Sequence, residues 1–192
     1  MKTKKSKTIG FSLLLIGIFI ISYSLIPNYI EQVKEETSIN YFFEVMSNEV
    51  KTIEQPPYNY IAVLEIPRIS LKKGLFDIND RNNNVDRNIK ILNNSDMPNI
   101  NNGLLIIAAH SGRGRAAFFD KLDRLTKRDL VYIYYQNDKY TYEVSDILRQ
   151  YKTGSIDIVR RNYTELILTT CDQVNKDKQI IVRLMLVGKL VY

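Results

Sequence analysis

The chain has a single cysteine and a single histidine among its 192 residues. One cysteine excludes an intramolecular disulfide. No acidic residue precedes Glu31, and residues 9–26 hold no charge of either sign. There is no internal repeat and no low-complexity segment. A formal net charge of +6 would suit a nucleic-acid partner, but its placement argues against one. Lys2, Lys4, Lys5 and Lys7 crowd the first seven positions, and setting these four aside leaves 23 basic side chains against 21 acidic ones. With so balanced a body a phosphate-binding surface, and so a nucleic-acid partner, is not expected.

After the lysines comes IGFSLLLIGIFIISYSLI, residues 9–26, followed by Pro27. At ~1.5 Å per residue a helix of this length covers roughly 27 Å, close to the hydrocarbon thickness of a bilayer. A cleaved signal peptide would have a shorter apolar core and an A-x-A-like site, which Ser22, Tyr23 and Ser24 do not supply. The run is therefore expected to be an uncleaved, single-pass anchor in the cell membrane. Its lysines keep residues 1–8 cytoplasmic and leave residues 27–192 outside. Outside the cytoplasm cysteines normally pair, so a lone one is either buried and inert or kept for its reactivity.

Residues 27–57, of mixed charge and sparse apolar content, read as a helical or partly ordered stalk broken by Gln55-Pro56-Pro57. From residue 58 onward the pattern is one of strands. YIAVLEIPRI (60–69) alternates around Val63 and Glu65, with Pro67 at an edge or bulge. The Asn- and Asp-rich stretch 79–102 is expected to hold a short helix at 85–92 among loops. GLLIIAAH (103–110) reads as a strand buried on both faces. AAFFDKLDRL (116–125) spaces Phe118, Phe119, Leu122 and Leu125 as a short amphipathic helix would. Residues 129–152 read as two strands about Gln136-Asn137-Asp138, and ELILTTC and QIIVRLMLVGKLVY supply the rest. The expected fold of residues 58–192 is all-β: a closed or nearly closed eight-stranded barrel with a few short surface helices.

His110 and Cys171 each close an apolar strand where it meets a polar loop, a place where a rigid scaffold can present reactive groups. Arg183 interrupts the apolar QIIVRLMLV, where an unpaired buried charge would be costly. If the strand of Cys171 turns through 172–178 and pairs back with 179–187, Arg183 is expected opposite or near Cys171. Thiol, imidazole and guanidinium together suit covalent acyl transfer, as nucleophile, acid–base group and donor to an oxyanion. Singly, each has a plainer reading. A cysteine on an apolar strand is often a small hydrophobe, a strand-end histidine is often merely solvated, and a mid-strand arginine often covers apolar surface with its stem.

Taken in order, the lysine-led anchor, YIAVLEIPRISLKKGLF, LLIIAAHSG, FFDKLDRLTKRDLVYI, LILTTCD and IIVRLMLV resemble a sortase over about residues 60–191. Sortases are anchored cysteine transpeptidases of Gram-positive bacteria. Ile167 stands where the family's Thr-Leu-x-Thr-Cys motif has threonine, and Ala109-His110-Ser111 stands where many members have Gly-His-Arg.

The resemblance implies that Cys171 attacks an LPxTG-like C-terminal sorting signal at its Thr-Gly-type bond and forms a thioacyl-enzyme. His110 would protonate the leaving amine and deprotonate the incoming one, and Arg183 would steady the oxyanion or position the substrate. Thr170, Ala109 and Ser111 would contact substrate. The acceptor would be an amine of a peptidoglycan precursor or of a pilin lysine. No metal or organic cofactor is required; some relatives use calcium, for which no site is identified here. The lack of an aspartate–aromatic lid at 41–60 points to a housekeeping or specialised wall-anchoring role, the closeness of Tyr192 to the arginine strand disfavours a pilus-building type, and the compact length and the FFDKLDRL segment lean toward a class D-like type. Two other readings stay open: an anchored binding or scaffold domain with an inert thiol, and an L,D-transpeptidase-type cysteine enzyme. The latter groups His, Gly and Cys within a few residues, unlike His110 and Cys171.

Overall fold

The computed structural model describes residues 2–48, 55–154 and 158–191. Their elements are α1 (Lys2–Met46), β1 (Ala62–Ile66), β2 (Leu71–Leu75), β3 (Lys90–Ile91), β4 (Leu104–Ala108), β5 (Leu130–Tyr135), β6 (Asp138–Tyr151), β7 (Glu165–Cys171) and β8 (Lys178–Val191). The strands join in one sheet in the order β2-β1-β5-β6-β8-β7-β4-β3. Every neighbouring pair is antiparallel except β4 and β7. Curling of the sheet makes a nearly closed barrel, and Leu64, Leu75, Ile91, Ile107, Ile133, Tyr142, Leu168 and Val182, one from each strand, meet in its core. Asn88 draws the two end strands together: its Nδ2 donates to the Gly74 carbonyl at 2.8 Å, just before β3 begins.

β4 and β7 are buried on both faces. Leu105, Ile107, Leu166 and Leu168 point into the barrel. On the other face Leu104, Ile106 and Ile167 pack with Ile181 and with Ile158 of the β6–β7 loop. Burying each such side chain stabilises by about 1.5–3 kcal/mol. Burial on both sides removes the polar alternation, which is why LLII and LIL read as unbroken apolar runs.

Two expected helices are replaced by turns. In 79–92 the short polar side chains capture backbone N–H groups: Asn82 N donates to Asp80 Oδ1 at 2.7 Å and Asp86 N to Asn84 Oδ1 at 2.9 Å. Such Asx turns compete with helix, and the chain then enters β3. In 116–125 the apolar spacing is real, since Phe119, Leu122 and Leu125 are buried. The backbone nevertheless forms only turns and one 3₁₀ turn at Leu122–Arg124. An α-helix would need the Phe119 N–H for residue 115, but that N–H donates to the His110 carbonyl at 3.0 Å.

The N-terminal element runs as one helix through Pro27 to Met46. Its part from Gly10 onward is long and apolar enough to cross a membrane, and its most apolar stretch is not covered by the barrel. The segment read as a helical or partly ordered stalk is helical as far as Met46, and its second half packs on the barrel. Ile39 and Met46 are buried with Tyr60, Val63, Phe76 and Tyr134, and Phe43 meets Tyr134 edge-on at 4.9 Å. Polar anchors fix the seat: Lys73 pairs with Glu35, and Tyr58 N donates to Ser38 Oγ at 3.0 Å.

β7 and β8 form the expected hairpin, but in a different register. Cys171 lies opposite Gln179, and Arg183 lies opposite Ile167. Arg183 is buried because Glu165, on the neighbouring strand, is buried with it. Its Nε donates to Glu165 Oε1 at 2.7 Å and its second amine to Oε2 at 2.6 Å, with a further bond to the Val159 carbonyl at 3.1 Å. Arg183→Ala strands that carboxylate in the interior and is expected to cost about 3–5 kcal/mol, whereas the apolar double variant Glu165→Leu/Arg183→Met regains most of it. Urea unfolding of the detergent-solubilised chain checks both; an Arg183→Ala protein as stable as the parent would contradict the assignment.

Candidate active site

The one parallel pair of the sheet aligns Ala108 with Thr169. His110 and Cys171 are each two residues beyond that pair, so alternation returns both to the face of Ala108 and Thr169. Neighbouring strands are ~4.8 Å apart, so the two residues sit side by side at adjoining strand ends. Three bonds lash those ends together. Ala109 N donates to the Thr169 carbonyl at 3.3 Å. Thr170 Oγ1 donates to the Ala109 carbonyl at 2.8 Å, and Ser111 Oγ to the Cys171 carbonyl at 2.6 Å. Thr170, Ala109 and Ser111, expected at the substrate, thus have a visible task in holding the two strand ends, and the Thr170 side chain is buried toward the barrel.

Cys171 is a free, exposed thiol, although the six residues before it in β7 are all buried. The His110 side chain is about half exposed, and its Nε2 lies 3.0 Å from Asp86 Oδ1. That carboxylate can hold the ring in one tautomer and orientation. Asp86 also lines a cavity of about 940 Å³ between α1 and the barrel, together with Glu31, Glu35, Arg87 and Arg115.

Asp172 shapes the turn that follows the thiol. Its Oδ1 accepts from Val174 N at 2.8 Å and from Asn175 N at 3.3 Å, and Arg149 pairs with Oδ2 at 3.3 Å. The Val174 N–H, with the Asn175 N–H and the charges of Arg149 and Lys178, holds the Asp172 carboxyl below the usual carboxylate range. Asp172 N in turn donates to the Lys178 carbonyl at 3.0 Å. A turn closed there starts β8 at Lys178 and sets Gln179 opposite Cys171.

The expected meeting of Arg183 with Cys171 is corrected by this register. Cys171 is four positions along the strand from Ile167, the partner of Arg183, which at ~3.3 Å per residue is about 13 Å. Its guanidinium reaches Glu165, farther still from the thiol. QIIV carried a signal for this outcome: an apolar run before the arginine means the strand starts well ahead of it. Glu165, at the head of an equally apolar run, was the matching acid. Asp86 and Gln179 had no comparable mark in the sequence. Among the described residues no group of three or more His, Cys, Asp or Glu is gathered to hold a metal ion.

The sortase domain family matches residues 64–191. Comparison with curated protein sequences finds no match. Among solved structures, sortase C of Streptococcus pneumoniae superposes with a TM-score of 0.60 at 21% identity, over 74% of this chain and 73% of that one. Sortase A of Corynebacterium diphtheriae gives 0.59 at 22% identity, over 70% and 63%. Sortase C1 of Streptococcus suis gives 0.59 at 21% identity, over 67% and 73%. At these identities the structures speak for the fold, and the domain match speaks for the family. With an exposed cysteine and a histidine carried on adjoining strand ends of such a barrel, the chain belongs to the sortase family of cysteine transpeptidases.

Proposed function

We propose that this chain cleaves an LPxTG-like C-terminal sorting signal and transfers the shortened protein to a cell-wall amine. The observation that carries this reading is the β4–β7 register, which sets the exposed Cys171 beside His110. Cys171 Sγ attacks the carbonyl carbon of the Thr–Gly-type bond. The tetrahedral intermediate collapses to a thioester as the amine departs with a proton from His110. An amine of a peptidoglycan precursor then gives a proton to His110 and displaces the thiolate. Asp86 positions the imidazole through Nε2.

The apolar helix, preceded by lysines, supports a single-pass anchor with the barrel outside the cell. Docking of the second half of α1 would then hold the site close to the membrane, where lipid-linked wall precursors are found. The class D-like assignment remains our reading of the compact length and the FFDKLDRL segment; the solved structures named above are of classes A and C. Exposure of Cys171 disfavours the scaffold with a walled-in thiol.

Incubation with a library of sorting-signal peptides, followed by intact-mass and fragment analysis, should trap an acyl adduct on Cys171. Cys171→Ala should abolish cleavage and transfer, and full activity in that variant would end the proposal. His110→Ala should slow turnover by roughly 10²–10⁴-fold, the usual contribution of an acid–base group. A smaller loss than tenfold would remove His110 from the mechanism.

A further inference from the structure

If Cys171 is an acyl-transfer nucleophile, as proposed above, the carbonyl oxygen it attacks becomes an oxyanion and needs a hydrogen-bond donor. Arg183 does not fill that place, because both of its bonds to Glu165 draw it away from Cys171. The other donors around the thiol are nearly all committed. The Ser111 hydroxyl is given to the Cys171 carbonyl, that of Thr170 to the Ala109 carbonyl and that of Thr169 to the Ile180 carbonyl. The Asp172 N–H is taken by the Lys178 carbonyl and the Gln173 amide by the Asp120 carbonyl, and the exposed Arg149 pairs through Nε with Asp172.

One donor beside Cys171 is both shielded from solvent and without a partner among the described residues. Gln179 is the cross-strand partner of Cys171, so their side chains share a face at the mouth of the hairpin. Its Nε2 is shielded from solvent and has no hydrogen-bond partner. A buried amide donor left unpaired costs about 1–3 kcal/mol, and such groups are rare enough in folded proteins to need a reason. From this geometry we infer that Gln179 is the oxyanion donor of this enzyme, its Nε2–H reserved for the substrate carbonyl.

During acylation the C–S bond forms while the carbonyl π electrons move onto oxygen, and rotation of the Gln179 amide lets Nε2–H donate to that oxygen. Collapse restores the carbonyl, breaks the C–N bond and sends the amine off with the His110 proton. The donor is spent on the transition state, so its removal acts on kcat rather than on KM. A neutral amide serves here in place of a guanidinium, and it is held opposite the nucleophile by the turn that Asp172 closes.

The test is single-turnover acylation and steady-state transfer by the full chain with the sorting peptide that acylates the parent protein. Gln179→Glu keeps the shape and removes the donor, and Gln179→Met keeps the bulk without polarity. Both should lower kcat about 100- to 1,000-fold, the cost of losing one oxyanion donor, with KM within threefold. Gln179→Arg, which supplies a charged donor from the same position, should recover at least a tenth of parental kcat. Parental kcat in both donorless variants, or a loss confined to KM, would overturn the inference while leaving the transpeptidase reading intact. Failure of the parent protein to form any adduct on Cys171 would overturn both.

Discussion

Parallel pairing of β4 with β7 settles two placements with one register: the alignment of Ala108 with Thr169 carries His110 and Cys171 to adjoining strand ends. Parallel strands cannot be joined by a tight turn and need a long crossover. Here the connection includes β5 and β6, so 60 residues of chain lie between the two side chains. The pairing is secured by apolar packing on both of its faces, with Leu105 and Leu168 inside and Leu104 and Ile167 outside. Polar lashings from Thr170 and Ser111 secure its open end. A residue at the end of a rigid strand is placed more reproducibly than one on a loop. That is what this barrel offers to acyl transfer.

The Arg183–Glu165 pair illustrates how a buried charge can mislead. An arginine in an apolar strand needs a reason, and catalysis was one available reason. The structure supplies another, a bidentate carboxylate partner one strand away and two residues further from the thiol. Its guanidinium also reaches Val159 in the β6–β7 loop, so the pair ties that loop to the sheet. Arg160, at the neighbouring position, ties the same loop to the one between β3 and β4, bonding Asp96 at 2.6 Å and the Asn94 carbonyl at 3.1 Å. The place opposite the thiol falls to Gln179.

The strands were legible in the sequence because their burial is written in hydrophobicity. β4 and β7 read as unbroken apolar runs, and β5 and β6 as a hairpin about Gln136-Asn137-Asp138, of which Asp138 already belongs to β6. Cys171 and His110 were legible as single occurrences of their residue types at strand ends. Less of the tertiary geometry could be read. The helix-like spacing in 116–125 reflected burial alone, since one long-range bond from Phe119 to His110 withdraws a backbone donor that the helix needs. Docking of α1 depends on aromatic residues that are scattered in sequence and meet only on the folded sheet, among them Phe43 and Tyr134. The hairpin register depends on Asp172, whose carboxylate captures two backbone N–H groups of the turn. No periodicity reports such a contact.

Because Cys171 is the chain's only cysteine, a single added thiol reports its neighbours without interference. A disulfide requires Cα atoms within about 4.4–6.8 Å. Mild oxidation of the folded chain carrying His110→Cys or Gln179→Cys should therefore close a bridge to Cys171, read as a mass loss of two hydrogens and loss of thiol labelling, while Arg183→Cys should stay reduced. Bridging from position 183 with none from 110 or 179 would contradict the register on which the proposed site is built.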